Sequence, residues 1–174
     1  MRQFICAGLA AGLISTFAIS PAGAQALPDL PAALRPAGLA AYLEVPATGA
    51  QIYVCGKNDA GAWSWVFKAP EAQLFDKDKT QIGKHYAGPT WEALAGGGKV
   101  VGAVKASAPA PEAGSIPWLL LDIKSSEGAG VFNQAKAILR VSTHGGVAPA
   151  QGCDEAHSGQ ESRVPYTATY FFLK

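Results

Sequence analysis

An all-β fold, a single-domain antiparallel β-sandwich or β-barrel with long loops and one disulfide, is what this sequence predicts. Three observations carry it. Apolar residues recur with a period of two in short runs, the mark of half-buried strands. The runs are separated by turn chemistry drawn from 20 glycines and 12 prolines in 174 residues. After the first 26 residues, no amphipathic helix longer than about two turns can be drawn. The count comes to roughly seven to nine strands, and no fixed repeat points to a propeller or solenoid.

Residues 1–26 stand apart as a signal peptide. Arg2 gives a positive start, Phe4 to Ile19 form an apolar stretch, Pro21 breaks it, and Ala24-Gln25-Ala26 offers a cleavage signal. Cys6 lies within this segment and lacks the small residues of a lipoprotein box. Residues 27–49 read as a Pro-rich arm, with Pro28, Pro31, Pro36 and Pro46 leaving room only for short turns. Residues 50–174 form the all-β domain.

Within that domain, Gln51 to Cys55 alternates. Asn58-Asp59-Ala60-Gly61 is a turn, and Trp63, Trp65 and Phe67 then share one face of a second strand. Gln73 to Phe75 and Gln81 to His85 flank another turn, Asp76 to Lys79. Trp91 to Leu94 leads through Gly96-Gly97-Gly98 to a strand over Lys99 to Ala106. Ile116 to Ile123, the most apolar run after the leader, reads as a buried strand. Val131 to Ala137 suits a single helical turn. Ala137 to Thr143 alternates with Leu139 and Val141 inward and Arg140 and Ser142 outward. Val164 to Leu173 closes the chain, with Tyr166, Ala168, Tyr170 and Phe172 on one face. Trp65, Phe67 and Trp118 are expected in the core, whereas Tyr86 and Trp91, beside a Gly88-Pro89 turn, are expected to be partly exposed.

Composition excludes several function classes. The formal net charge is +1 and falls to zero without Arg2. That balance offers no clustered basic surface, so no nucleic acid is expected as a partner. No segment after the leader is apolar for long enough to span a bilayer as a helix. Cys55 and Cys153 remain as an even pair in an oxidising compartment, periplasmic or extracellular. A bridge between them closes a loop of about 100 residues, stabilising by about 4–5 kcal/mol in the chain-entropy model. Two free thiols or a metal pair are the alternatives, though the spacing is not that of a zinc site.

Four segments carry a resemblance: GAQIYVC at Gly49 to Cys55, HYAGPTW at His85 to Trp91, IPWLLL at Ile116 to Leu121, and GGVAPAQGCD at Gly145 to Asp154. In that order they are similar to an uncharacterised family of secreted bacterial and fungal domains, known only as a domain of unknown function. The resemblance spans nearly all of the chain after the leader and implies no activity, substrate or catalytic residue. Some members carry the name malate dehydrogenase. No G-x-G-x-x-G follows a strand here and no βαβ alternation exists, so a nicotinamide site has no physical basis.

Function is therefore sought in side chains. The stretch Ile82 to Glu92 gathers a histidine, a tyrosine, a tryptophan and a glutamate around one turn. Aromatic faces with a few polar groups suit a carbohydrate or a small apolar ligand. The candidate binding residues are His85, Tyr86, Trp91 and Glu92, with Asp154 and Arg163 as charged anchors at the rim formed by the GGVAPAQGCD loop. A hydrogen-bonded structural role for His85 competes with this reading. No cofactor is expected and no catalytic residue is assigned. His85, His144 and His157 are the candidate metal ligands, with Asp154 or Glu155, but they show no ligand spacing. A metal-assisted or acid–base hydrolase would pair His85 with Glu92 or Asp154, with Ser142 as nucleophile, yet no nucleophile elbow surrounds that serine. Asp76, Asp78 and Glu92 evoke sugar chemistry, although the first two read more simply as a solvated turn. A structural envelope protein is a further alternative. The favoured reading is an exported ligand- or surface-binding module with an aromatic-lined site near HYAGPTW.

Overall fold

Alternating strands joined by short turns close here into a barrel. The computed structural model describes residues 25–174. The expected leader, up to residue 24, lies outside the described residues.

Among the described residues eight strands follow one another: β1 (Ala41–Lys57), β2 (Trp63–Phe75), β3 (Gln81–Tyr86), β4 (Thr90–Ala93), β5 (Lys99–Ala108), β6 (Trp118–Glu127), β7 (Ala137–Gly145) and β8 (Glu161–Leu173). Each pairs antiparallel with the next, and β8 pairs back onto β1 from Ala41↔Leu173 to Val54↔Glu161. Closure removes the free edges that an open sheet would leave. The Cys55–Cys153 disulfide ties the end of β1 to the β7–β8 loop.

Local chemistry sets the hairpins. Asn58 Oδ1 accepts from the N–H of Ala60 and of Ala62, and Asp76 Oδ1 accepts from the N–H of Asp78 and of Thr80. These Asx contacts fix both expected turns. Other boundaries differ from the sequence reading. β1 starts at Ala41, inside the stretch read as an arm, because β8 pairs it from Ala41 onward, through Pro46 as well. The two short strands expected over residues 63–75 are one, since β1 pairs with both halves, from Ala47↔Leu74 to Lys57↔Trp63. Residues 131–134 form turns instead of a helical turn.

The barrel has two apolar layers. Inside lie Val45, Leu74, Trp91, Leu121, Ile138, Tyr170 and Phe172, among others. Outside β6, β7 and β8, residues 27–40 lay Leu30 and Leu34 over Trp118, Leu120, Leu139, Val141 and Phe171. That cover explains why IPWLLLDI is apolar without alternation: both faces of β6 are buried. It also reverses the expected orientation of β7. Leu139 and Val141 face outward beneath the arm, and Arg140 faces the interior beside Leu121 and Tyr170.

Up-and-down topology assigns the loops to two ends. The β2–β3, β4–β5 and β6–β7 connections lie at one end, together with the start of β1 and the end of β8. Ala40 and Lys174 exchange backbone hydrogen bonds there, both at 3.0 Å. Phe132, in the β6–β7 connection, plugs this end: it is fully buried and stacks on Phe172 at 4.6 Å. Gly83 makes room for it, because a Cβ there would lie 2.8 Å from the Phe132 ring. The other end is gathered by the β1–β2, β3–β4, β5–β6 and β7–β8 connections. An eight-stranded barrel is just wide enough either to be filled by side chains or to hold one small ligand. This one is filled at the plugged end and hollow at the other.

Candidate functional site

The hollow is a cavity of about 330 Å³ that opens at the unplugged end. Its inner wall is built on the β3–β4 hairpin. His85 and Trp91 are direct cross-strand partners, so both side chains point into the barrel. Their rings stack with centroids 4.4 Å apart and an interplanar angle of 19°, and Tyr170 of β8 meets both edge-on. Gly88 and Pro89, in the turn between these strands, form part of the rim. Gly88 has φ +95°, a backbone angle that favours glycine. Leu119, Leu121, Val104 and Phe67 line the apolar side, and the last two are 57% and 54% exposed at the mouth.

His85 is 3% exposed. Its Nδ1 lies 2.8 Å from the Thr90 carbonyl, and a carbonyl only accepts, so Nδ1 carries the proton. Desolvation pushes the imidazole down to about 3, and the nearby Arg140 charge works in the same direction against the Thr90 bond. The ring is therefore neutral near pH 7, with Nε2 left as an acceptor. Tyr53 and Tyr170 are raised above the usual phenol range, chiefly by burial, and remain hydroxyls. Tyr53 donates to the Gly146 carbonyl at 2.6 Å, which holds the β7–β8 loop against the mouth.

Other polar residues surround the cavity. Arg140 donates from Nε and Nη2 to the Pro117 carbonyl, at 3.2 and 2.9 Å. Gln51 is 2% exposed, and its Nε2 has no partner among the described residues. Trp91 Nε1 is likewise buried and unpartnered.

Of the residues singled out from the sequence, the structure brings only His85 and Trp91 together in this cavity. Trp91 is fully buried, not partly exposed, because its pairing aims it inward although it follows a turn. Tyr86 and Glu92 point the other way. Tyr86 donates to Glu92 Oε2 at 2.6 Å, and Lys84 sits 3.2 Å from Oε1. These partners hold the Glu92 carboxyl below its ordinary range, the tyrosine first and the lysine second. Asp154 caps the 3-10 turn Glu155–His157 and bonds His157 Nδ1 at 2.6 Å. Arg163 forks onto Glu71, at 3.2 and 2.8 Å. His144 pairs with Glu112 at 2.6 Å.

Glu92 lies across the sheet from His85, and Asp154 is occupied by its own histidine, so neither supplies an acid–base pair to His85. Ser142 is exposed on β7 at φ +49°, beside the register shift in the β7–β8 pairing. Among the described residues no three His, Cys, Asp or Glu side chains are grouped to hold a metal ion. Phe67, expected in the core, is at the mouth, while Trp118 is buried under the arm.

A family model described as "Protein of unknown function (DUF3455)" matches residues 36–174. The chain belongs to this family. The match takes in all eight strands, both cysteines and every cavity-lining residue named above, so the hollow barrel end lies within the DUF3455 domain. No curated protein and no solved structure matches the chain.

Three cavity-lining residues of this DUF3455 domain are not among the site residues singled out from the sequence: Arg140, Gln51 and Tyr170. For Arg140 a signal existed. Ile138 shares its face in the alternation, and a strand with apolar residues on both faces has no solvent side to offer an arginine. Nothing in the sequence marked Gln51, whose position depends on a register shift between Ile52 and Tyr53.

Proposed function

We propose that this protein is an exported binding module that takes one small, largely apolar or aromatic molecule into the open end of the barrel. The observation that carries the reading is the cavity itself: about 330 Å³, walled by Trp91, Tyr170, Leu119 and Leu121, with an exposed apolar rim at Phe67 and Val104. Small-molecule sites are concave and mostly apolar, with a few polar groups that fix orientation. A carbohydrate, with a hydroxyl on nearly every carbon, fits this lining less well than an apolar body. Export rests on the leader at residues 1–26 and on the disulfide. Among the described residues no helix is long and apolar enough to cross a membrane.

Titration with the neutral fluorophore N-phenyl-1-naphthylamine tests the site. Saturable enhancement with one probe per protein is expected, and Leu119→Trp, which fills the cavity, should abolish it while the protein stays folded. No saturable binding, or binding indifferent to Leu119→Trp, would overturn the reading.

A further inference from the structure

The formally charged groups at the cavity share one sign. Arg140 uses Nε and one Nη2 hydrogen on the Pro117 carbonyl, and among the described residues it has no carboxylate partner. The two other described arginines, Arg35 and Arg163, are both paired with acids. Gln51 Nε2 and Trp91 Nε1 are sealed behind the cavity wall and do not open onto the hollow. Lys68 reaches the rim from β2 and is paired with Glu161. No Asp or Glu lines the cavity among the described residues. A guanidinium with no carboxylate partner at the wall of an apolar cavity leaves its charge to be met from outside.

Resting on the proposal that the cavity binds a ligand, we infer that this ligand is an organic acid: an aromatic or aliphatic body carrying one carboxylate, anchored by Arg140. Besides the Pro117 carbonyl the guanidinium meets only the neutral Tyr170 hydroxyl, so no carboxylate of the protein takes up its charge and its planar fork matches the two oxygens of a ligand carboxylate. One cation suits a monoanion better than a phosphate monoester, which carries more charge. The surrounding tyrosines remain hydroxyls, so no anion of the protein competes for Arg140. The apolar body would then rest on Trp91, Leu119 and Leu121.

The test is displacement of N-phenyl-1-naphthylamine at pH 7 by 2-naphthoate and by 2-naphthamide, which share a body and differ in charge. The wild-type protein is expected to release the probe to naphthoate at about tenfold lower concentration than to naphthamide, a modest advantage for a charge-assisted pair. Arg140→Gln should bring the two to parity while still binding the neutral probe. Should that variant fail to fold for want of the Pro117 contact, Arg140→Lys carries the test: it keeps a charged donor but loses the planar fork, with naphthoate's advantage reduced. Parity in the wild type, with the probe bound, overturns the inference and leaves the cavity reading intact. An advantage unchanged in the variants overturns the assignment of the anchor. Absence of any probe binding removes the cavity reading and this inference together.

Discussion

His85 donates through Nδ1 to the Thr90 carbonyl, 2.8 Å away, and this bond closes the β3–β4 hairpin over a buried ring. The imidazole titrates near 6.5 in an unfolded chain and near 3 in the fold. Between those values the unfolded chain binds a proton that the native state refuses. Stability is therefore complete above pH 6.5 and declines as pH falls toward 3, by at most about 1.4 kcal/mol per pH unit from this residue. Tyr170, which faces the ring from β8, is raised above the usual phenol range by burial and stays a hydroxyl through that window. Urea melts at pH 7 and pH 5 should show the loss in wild type. His85→Phe should flatten it while lowering stability at pH 7 by about 1–3 kcal/mol, since the Thr90 carbonyl loses its donor.

Phe132 closes the plugged end by stacking on Phe172 above Gly83. Phe132→Ala leaves a void that backbone strands cannot collapse to fill, and should destabilise by about 3–5 kcal/mol in denaturant titration.

Leu34 is fully buried although it sits in a Pro-rich segment outside the barrel. Leu34→Ala should cost about 2–5 kcal/mol, as much as a core leucine. A loss near zero would mean that the arm does not hold to the outer faces of β6, β7 and β8 in solution.

The Cys55–Cys153 bridge spans a sequence separation of 98 residues. Reduction, or the double change to alanine, should lower stability by about 4–5 kcal/mol if restriction of the unfolded chain is the whole effect. Matched melts with and without reductant read this directly.

Glu92, bonded to Tyr86 and Lys84 on the outer face, takes no part in the cavity. Glu92→Gln should leave probe binding unchanged, whereas Leu119→Trp removes it. Loss of binding in Glu92→Gln would return the site to the outer surface of the hairpin.

What the sequence made legible follows the range of the forces involved. The Asn58 and Asp76 turns are set by contacts within four residues, and both were readable. So was the inward row Tyr166, Ala168, Tyr170 and Phe172, because β8 alternates cleanly until its apolar end. The disulfide followed from cysteine number and compartment. Orientation failed where two apolar layers sandwich a strand. At β7 the arm covers Leu139 and Val141, so hydrophobicity no longer distinguishes inside from outside and Arg140 was placed on the wrong face. Trp91 was judged by its neighbouring turn, but direction is set by its partner His85, one strand away. The choice between sandwich and barrel depended on β1 meeting β8, a pairing over the whole length of the domain that no local pattern encodes.

The paired backbones of Ala40 and Lys174 sit at the end opposite the cavity. Attachment of the protein to a sensor surface through Lys174 would point the hollow away from the support. Immobilised in that orientation, the molecule presents the cavity mouth to the flowing sample without a spacer.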